Sequence, residues 1–112
     1  VIAGDFNDYS ESKSLLMIRN RGFTDISADA KGHNGAKGTY RYQGEWGSLD
    51  HILVSPTLAE RMLACCVYDA PFLLVPDEKY GGVKPRRNYL GPRYMNGFSD
   101  HLPLVAKWRQ PE

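Results

Sequence analysis

Apolar residues in this chain come in short runs and alternations, each closed by a glycine, a proline or a polar cluster. Val1, Ile2 and Ala3 form an apolar opening that stops at Gly4, which predicts a strand over residues 1–5. Leu15, Leu16 and Ile18 then give one apolar face of a helix. Ser10 is placed as its cap and Glu11 suits its first turn; Arg19 and Arg21 suit its last turn, and Gly22 is a stop. The expected helix covers residues 11–21. Residues 23–26 read as a short extended piece, and the glycine-rich 28–38 as a loop. Residues 39–43 alternate as a strand, 44–47 read as a turn, and 49–55 as the next strand. Pro56 opens a short helix over 57–61, 62–70 read as a strand, and 71–76 as an extended piece bounded by prolines. Residues 104–108 are the last strand. Between them, 77–97 is punctuated by glycines and prolines too often for a regular element, and reads as a long loop on the substrate side.

Strands dominate, with one clear helix after the first of them. The expected class is α/β (α+β), with mainly antiparallel sheet. The pattern resembles half of a layered sandwich more than a complete fold. At 112 residues the chain is a single unit with room for one core. It opens directly into a strand, which suggests a piece cut from something longer. The net charge of +1 excludes a wide basic field for long nucleic acid, though not local patches. No apolar run is long enough to span a bilayer. Cys65 and Cys66 are adjacent, which strains a disulfide between them; they read as free, packed as small apolar groups, and no zinc-type spacing is present.

Three polar motifs interrupt the apolar pattern. Gly4-Asp5-Phe6-Asn7 sets a carboxylate and a carboxamide at the mouth of the first strand. Asp5 can accept a proton from water or bind a divalent cation, and Asn7 can hold a water or a phosphate oxygen. Taken alone, the pair also reads as an Asx turn. In Leu49-Asp50-His51-Ile52 the alternation sends Asp50 and His51 to opposite faces. Asp50, on a face with Ile52 and Val54, needs a partner, and an imidazole is a natural one. His51 reads as structural. Ser99-Asp100-His101 precedes the last strand, with Asp100 suited to a hard cation and His101 to support by a buried carboxylate such as Asp50.

In this order, Gly4-Asp5-Phe6-Asn7, Leu49-Asp50-His51-Ile52 and Ser99-Asp100-His101-Leu102-Pro103 resemble the C-terminal half of the endonuclease/exonuclease/phosphatase (deoxyribonuclease I-like) superfamily. Residues 38–42 and Trp46 are similar to that family as well. The resemblance implies part of a four-layered α/β sandwich and metal-dependent hydrolysis of a phosphoester by in-line attack of water. It implies that Asp5 activates the water and serves the metal, Asn7 positions water or phosphate, and Asp100 serves the metal. His101, held by Asp50, would stabilise the phosphoryl group in flight. Mg²⁺ fits such an oxygen ligand set, with Mn²⁺ as a substitute.

Arg86, Arg87, Arg93 and Tyr94, with Trp46, are the candidate substrate contacts, since guanidinium forks suit phosphate and aromatic rings stack. The same arginines also read as a solvated loop, and Trp46 as core. The near-neutral charge favours a small or lipid phosphoester over duplex DNA. The expected partners are the phosphoester substrate and an N-terminal half supplying a metal-binding asparagine and glutamate. Without that half, the expectation is an inactive fragment that associates with itself.

Overall fold

The computed structural model describes residues 1–7, 12–87, 89–90, 93–94, 97 and 99–109. In chain order the strands and helices are β1 (Ile2–Asp5), α1 (Lys13–Asn20), β2 (Thr24–Asp25), β3 (Tyr40–Tyr42), β4 (Glu45–Gly47), β5 (Asp50–Val54), α2 (Pro56–Glu60), β6 (Met62–Val67), β7 (Leu74–Pro76), β8 (Val83–Pro85), β9 (Tyr89–Leu90), β10 (Arg93–Tyr94) and β11 (Leu104–Trp108). The described pairings are antiparallel: a three-stranded sheet β1-β5-β2, and the pairs β3–β4, β6–β11, β7–β8 and β9–β10. The fold is mixed α+β, as the alternation predicts, and is consistent with part of an α/β sandwich. Its extents of 46 × 33 × 21 Å leave room for about two layers, because packed layers sit ≈ 10 Å apart.

β5 anchors the larger sheet. Leu53 and Val54 are fully buried, and burying each such side chain is worth about 1.5–3 kcal/mol. β1 runs along one edge of it with Ile2 opposite Leu53 and Asp5 opposite Asp50, and β2 along the other with Asp25 opposite Leu53. A second cluster joins buried Ala30, Ala36, Val67 and Leu102 to Trp46, Cys65 and Leu104.

Helix α1 begins later than the apolar pattern suggests. Ser12 is its cap, with its hydroxyl accepting from the Leu15 N–H at 3.4 Å. Ser10 and Glu11, expected in the cap and first turn, lie outside the described residues. Leu15 is the buried residue of the helix, and Leu16 and Met17 are exposed. Gly22 closes the end at φ +97°, the left-handed conformation that glycine adopts without strain.

The chain reverses at Gln43 and Gly44, not over 44–47. Both have positive φ (49° and 82°), as a two-residue type I′ hairpin loop requires. Glu45–Gly47, expected as turn, is therefore strand paired with Tyr40–Tyr42. Strand β6 stops at Val67, three residues short of the expectation. There the Tyr68 N–H donates to the Pro103 carbonyl at 2.8 Å, and Asp69 turns inward. Its buried carboxylate accepts the backbone N–H groups of His33, Asn34 and Ala36 at 2.8–3.0 Å and ties down the loop expected over 28–38. Gly32 is required at that contact, since a Cβ there would lie 2.1 Å from the Asp69 carboxylate.

Residues 77–97, expected as one long loop, contain β8, β9 and β10. Buried Arg41 organises the start of the segment. Its guanidinium donates to the carbonyls of Gly81, Val83 and Gly44 at 2.5–3.1 Å and stands 3.5 Å from Asp77. Asp77 in turn accepts the N–H groups of Tyr80 and Lys79 at 3.0 and 3.2 Å. The Tyr80 N–H above all holds the Asp77 carboxyl below its ordinary value of 3.8; it outweighs the opposing effect of burial, and Arg41, the Lys79 N–H and Lys84 add to it. A lowered carboxyl stabilises the fold above its unfolded value, and this contribution is lost as pH falls through the folded value. Denaturant midpoints measured between roughly pH 5 and pH 2 should therefore fall more steeply for the unmodified chain than for Asp77→Asn. Parallel pH profiles would show that the turn does not depend on this charge.

Candidate active site

The antiparallel register of β1 against β5 sets Asp5 directly opposite Asp50. Like charges facing each other across a ladder repel. Gly4, at φ +155°, leads the chain out of β1 in a conformation that disfavours any side chain. The Asn7 N–H then donates to Asp5 Oδ1 at 2.8 Å, which is the Asx turn anticipated from the motif. Asp5 keeps Oδ2 for other partners.

His101 comes to this pair from a distant part of the chain. The Leu102 N–H donates to the Thr39 carbonyl at 2.8 Å, and Tyr40 and His101 form an isolated antiparallel bridge. The imidazole Nδ1 lies 2.7 Å from Asp50 Oδ2, and Nε2 lies 3.8 Å from Asp5 Oδ2. A carboxylate only accepts, so Nδ1 carries a hydrogen, and Nε2 is left on the Asp5 side to give or take a proton. The Tyr40 ring packs against the imidazole with centroids 5.2 Å apart. The side chains of Asp50 and His101 are 19% and 22% exposed, against 43% for Asp5, so the pair is sheltered while Asp5 meets solvent. Asp5 and Asp50 both line a cleft of ≈ 220 Å³.

Ligand atoms of Asp5, Asp50 and His101 lie within 4.8 Å of one another. Two carboxylates and an imidazole this close suit a divalent cation. A hard ion would take oxygens of Asp5 and Asp50, because His101 Nδ1 is committed to Asp50.

His51 belongs to another arrangement. It is fully buried on the opposite face of β5, with Nδ1 3.0 Å from Asp25 Oδ2 and its ring 5.7 Å from that of Phe6. Ser27 completes the set: its hydroxyl donates to Asp25 Oδ1 at 2.6 Å and accepts the Ile52 N–H at 3.0 Å. Asp25 escaped the sequence reading. The signal was available, because an imidazole turned into a core needs a polar partner, and Asp25 is the one acid in the short extended piece at 23–26. The described residues thus hold two Asp–His pairs, one closed and one opening on a cleft.

Other anticipated residues sit elsewhere. Asp100 lies in a bend, is exposed, and is outside the close cluster of Asp5, Asp50 and His101. The Asn7 side chain is exposed, and it is the Asn7 backbone N–H that bonds to Asp5. Trp46 packs against the second apolar cluster and beneath Arg41, whose guanidinium carbon is 5.4 Å from the ring centroid. Arg86 and Arg87 line a separate cavity with Arg41 and Tyr80. The backbones of Arg93 and Tyr94 form β10, and their side chains lie outside the described residues. Cys65 and Cys66 are free thiols, and burial pushes Cys65 above its ordinary value, with Cys66 and Asp25 adding to the effect. That opposes a nucleophilic thiolate.

The two Asp–His pairs should separate in mutants. Asp25→Ala should cost about 3 kcal/mol of stability, by stranding a buried imidazole and the Ser27 hydroxyl. Asp50→Ala should cost no more than about 1 kcal/mol, since its pair is partly solvated and the repulsion from Asp5 is relieved. Urea unfolding of both variants checks this, and equal losses would contradict the assignment of the two pairs.

Residues 1–110 match the sequence profile of the Endonuclease/Exonuclease/phosphatase family. Comparisons with curated proteins and with solved structures returned no match.

Proposed function

Because this chain belongs to the endonuclease/exonuclease/phosphatase family, we propose that it carries the water-activating side of a phosphoesterase site. Hydrolysis of phosphoesters with a divalent metal is the general activity of that family. The observation that carries the proposal for this chain is the line Asp50–His101–Asp5, with contacts of 2.7 and 3.8 Å at the edge of a cleft. It joins a carboxylate, an imidazole and a second carboxylate from three remote stretches of sequence.

Each group has a chemical task in this reading. Asp5 Oδ2, free of the Asx turn and exposed, orients the attacking water and accepts its proton. His101 stands across from it and offers Nε2 to an oxygen of the phosphoryl group, where negative charge grows during in-line attack. Asp50 fixes the ring by its bond to Nδ1, so that Nε2 points consistently to the same side. Asn7, at the turn after Asp5, is placed to hold the water or a phosphate oxygen. A Mg²⁺ or Mn²⁺ ion, held by Asp5 and Asp50, would supply further neutralisation of charge. In this reading Asp50, which lies in the close cluster, is preferred to the exposed Asp100 as the second carboxylate for the ion.

The test is hydrolysis of bis-(p-nitrophenyl) phosphate by the full-length protein with Mg²⁺. EDTA should abolish turnover and Mn²⁺ restore it. Asp5→Ala and His101→Ala should each lower kcat by roughly 10²–10⁴-fold, the usual share of a positioned acid or base. Asp100→Ala should leave activity within about threefold. Unchanged hydrolysis in EDTA, or in His101→Ala, would sink the mechanism.

A further inference from the structure

A second cavity, of ≈ 350 Å³, lies between the β3–β4 hairpin and the segment carrying β7 and β8. Its wall is formed by Arg41, Lys84, Arg86 and Arg87, with Tyr42 and Tyr80. Asp77 is the one acid there, and its carboxylate is spent on two backbone N–H groups and on Arg41. The wall is therefore strongly positive on a chain whose net charge is only +1. Arg41 is buried with its Nε unpartnered, although its Nη atoms are satisfied. The Arg86 guanidinium has no hydrogen bond or ion pair among the described residues. Arg87 uses Nη2 on the Arg41 carbonyl at 3.2 Å.

Tyr42 and Tyr80 are 61% and 47% exposed beside these cations, and Lys79, which also lines the cavity, sets its Nζ 5.2 Å from the Tyr80 ring centroid. The Tyr80 ring lies over Gly44, where an added Cβ would come within 2.6 Å of it. Three ligand classes can be weighed against this wall. A bare phosphate needs the guanidinium forks but has no use for the rings. A lipid tail would leave the five cations of the lining, Arg41, Lys79, Lys84, Arg86 and Arg87, without an anionic partner. A planar heterocycle bearing a phosphate uses both, with its ring against tyrosine and its anion on arginine. The volume falls at the lower end of small-molecule sites, which suits one nucleotide and is too small for a duplex.

We infer that the cavity lined by Arg41, Lys84, Arg86, Arg87, Tyr42 and Tyr80 binds a single nucleotide unit, ring on tyrosine and phosphate on arginine. This site is distinct from the Asp5–Asp50–His101 cluster, and it does not require that cluster to be catalytic. The two are nonetheless neighbours. The Arg87 guanidinium carbon lies 5.8 Å from the Tyr40 ring centroid, and the same ring packs on His101.

The test is calorimetric titration of the full-length protein with adenosine monophosphate in EDTA, where no metal-dependent turnover interferes. Inorganic phosphate and adenosine are titrated in parallel. Adenosine monophosphate should bind at least about tenfold more tightly than either half, since both recognition elements contribute. Arg86→Met should weaken it about tenfold, through loss of a charged contact to phosphate. The Arg86 side chain has no partner to lose among the described residues, so this variant should melt like the unmodified protein, and it decides the matter even if Arg87→Met or Tyr80→Ala fails to fold. Asp5→Asn should bind as the unmodified protein does. Phosphate binding as tightly as the nucleotide, undiminished binding by Arg86→Met, or no nucleotide binding at all would overturn the inference. Binding without hydrolysis would fell the proposed catalysis and leave this site standing; hydrolysis without binding would do the reverse.

Discussion

Two carboxylates forced to face each other across the β1–β5 ladder set the terms for much of this molecule. They cannot escape by sliding. A shift of one residue would turn His51 and Leu53 out of the core and Asp50 and Ile52 into it. The hydrophobic pattern of β5 therefore holds Asp50 at the rim, and the pairing of β1 holds Asp5 opposite. Something positive or polarisable has to stand between them, and His101 does. Its position needs the Thr39–Leu102 hydrogen bond and the Tyr40–His101 bridge, so the site depends on segments far from either carboxylate.

The same constraint explains why two similar Asp–His dipeptides end so differently. Alternation along β5 divides Asp50 from His51, giving one to the cleft and the other to the core. The buried imidazole takes Asp25, with Ser27 closing the set. The half-buried Asp50 carboxylate takes the imidazole of the other dipeptide, while Asp100 remains in solvent. Neither pair is made within its own dipeptide. This crossing leaves one pair inside the core of the sheet and the other beside the cleft.

Polar anchors do much of the work that a larger core would do. Strands here are short, and buried apolar side chains are few. Asp69 gathers three backbone N–H groups of the 31–36 loop, and Arg41 gathers carbonyls from the 81–83 turn and the hairpin. Buried polar groups that are paired in this way favour one arrangement, because an alternative would leave the Asp69 carboxylate and the Arg41 Nη atoms unsatisfied. Tyr40 connects this scaffold to the Asp5–Asp50–His101 cluster and to the wall of the arginine-lined cavity. It borders the β3–β4 hairpin, packs on His101 and lies beneath Arg87.

Much of this was legible in order along the chain. The strand at 104–108, the helix stopping at Gly22 and the proline-led helix after Ser55 follow from local preference and periodicity, which need no distant partner. The hairpin did not, because its turn depends on Gln43 adopting a positive φ that glutamine does not advertise. The segment at 77–97 did not either, since its strands are fixed by Arg41 and by pairing rather than by their own composition. Motif spacing and flanking apolar residues are local facts, and they suffice to point to the family and to single out Asp5, Asp50 and His101 as candidates. Only the tertiary structure decided that Asp50 and not Asp100 shares the cluster, that Asp25 serves His51, and that Arg86 and Arg87 face a cavity of their own. Those choices rest on strand register and on contacts between residues dozens of positions apart, which no local pattern encodes.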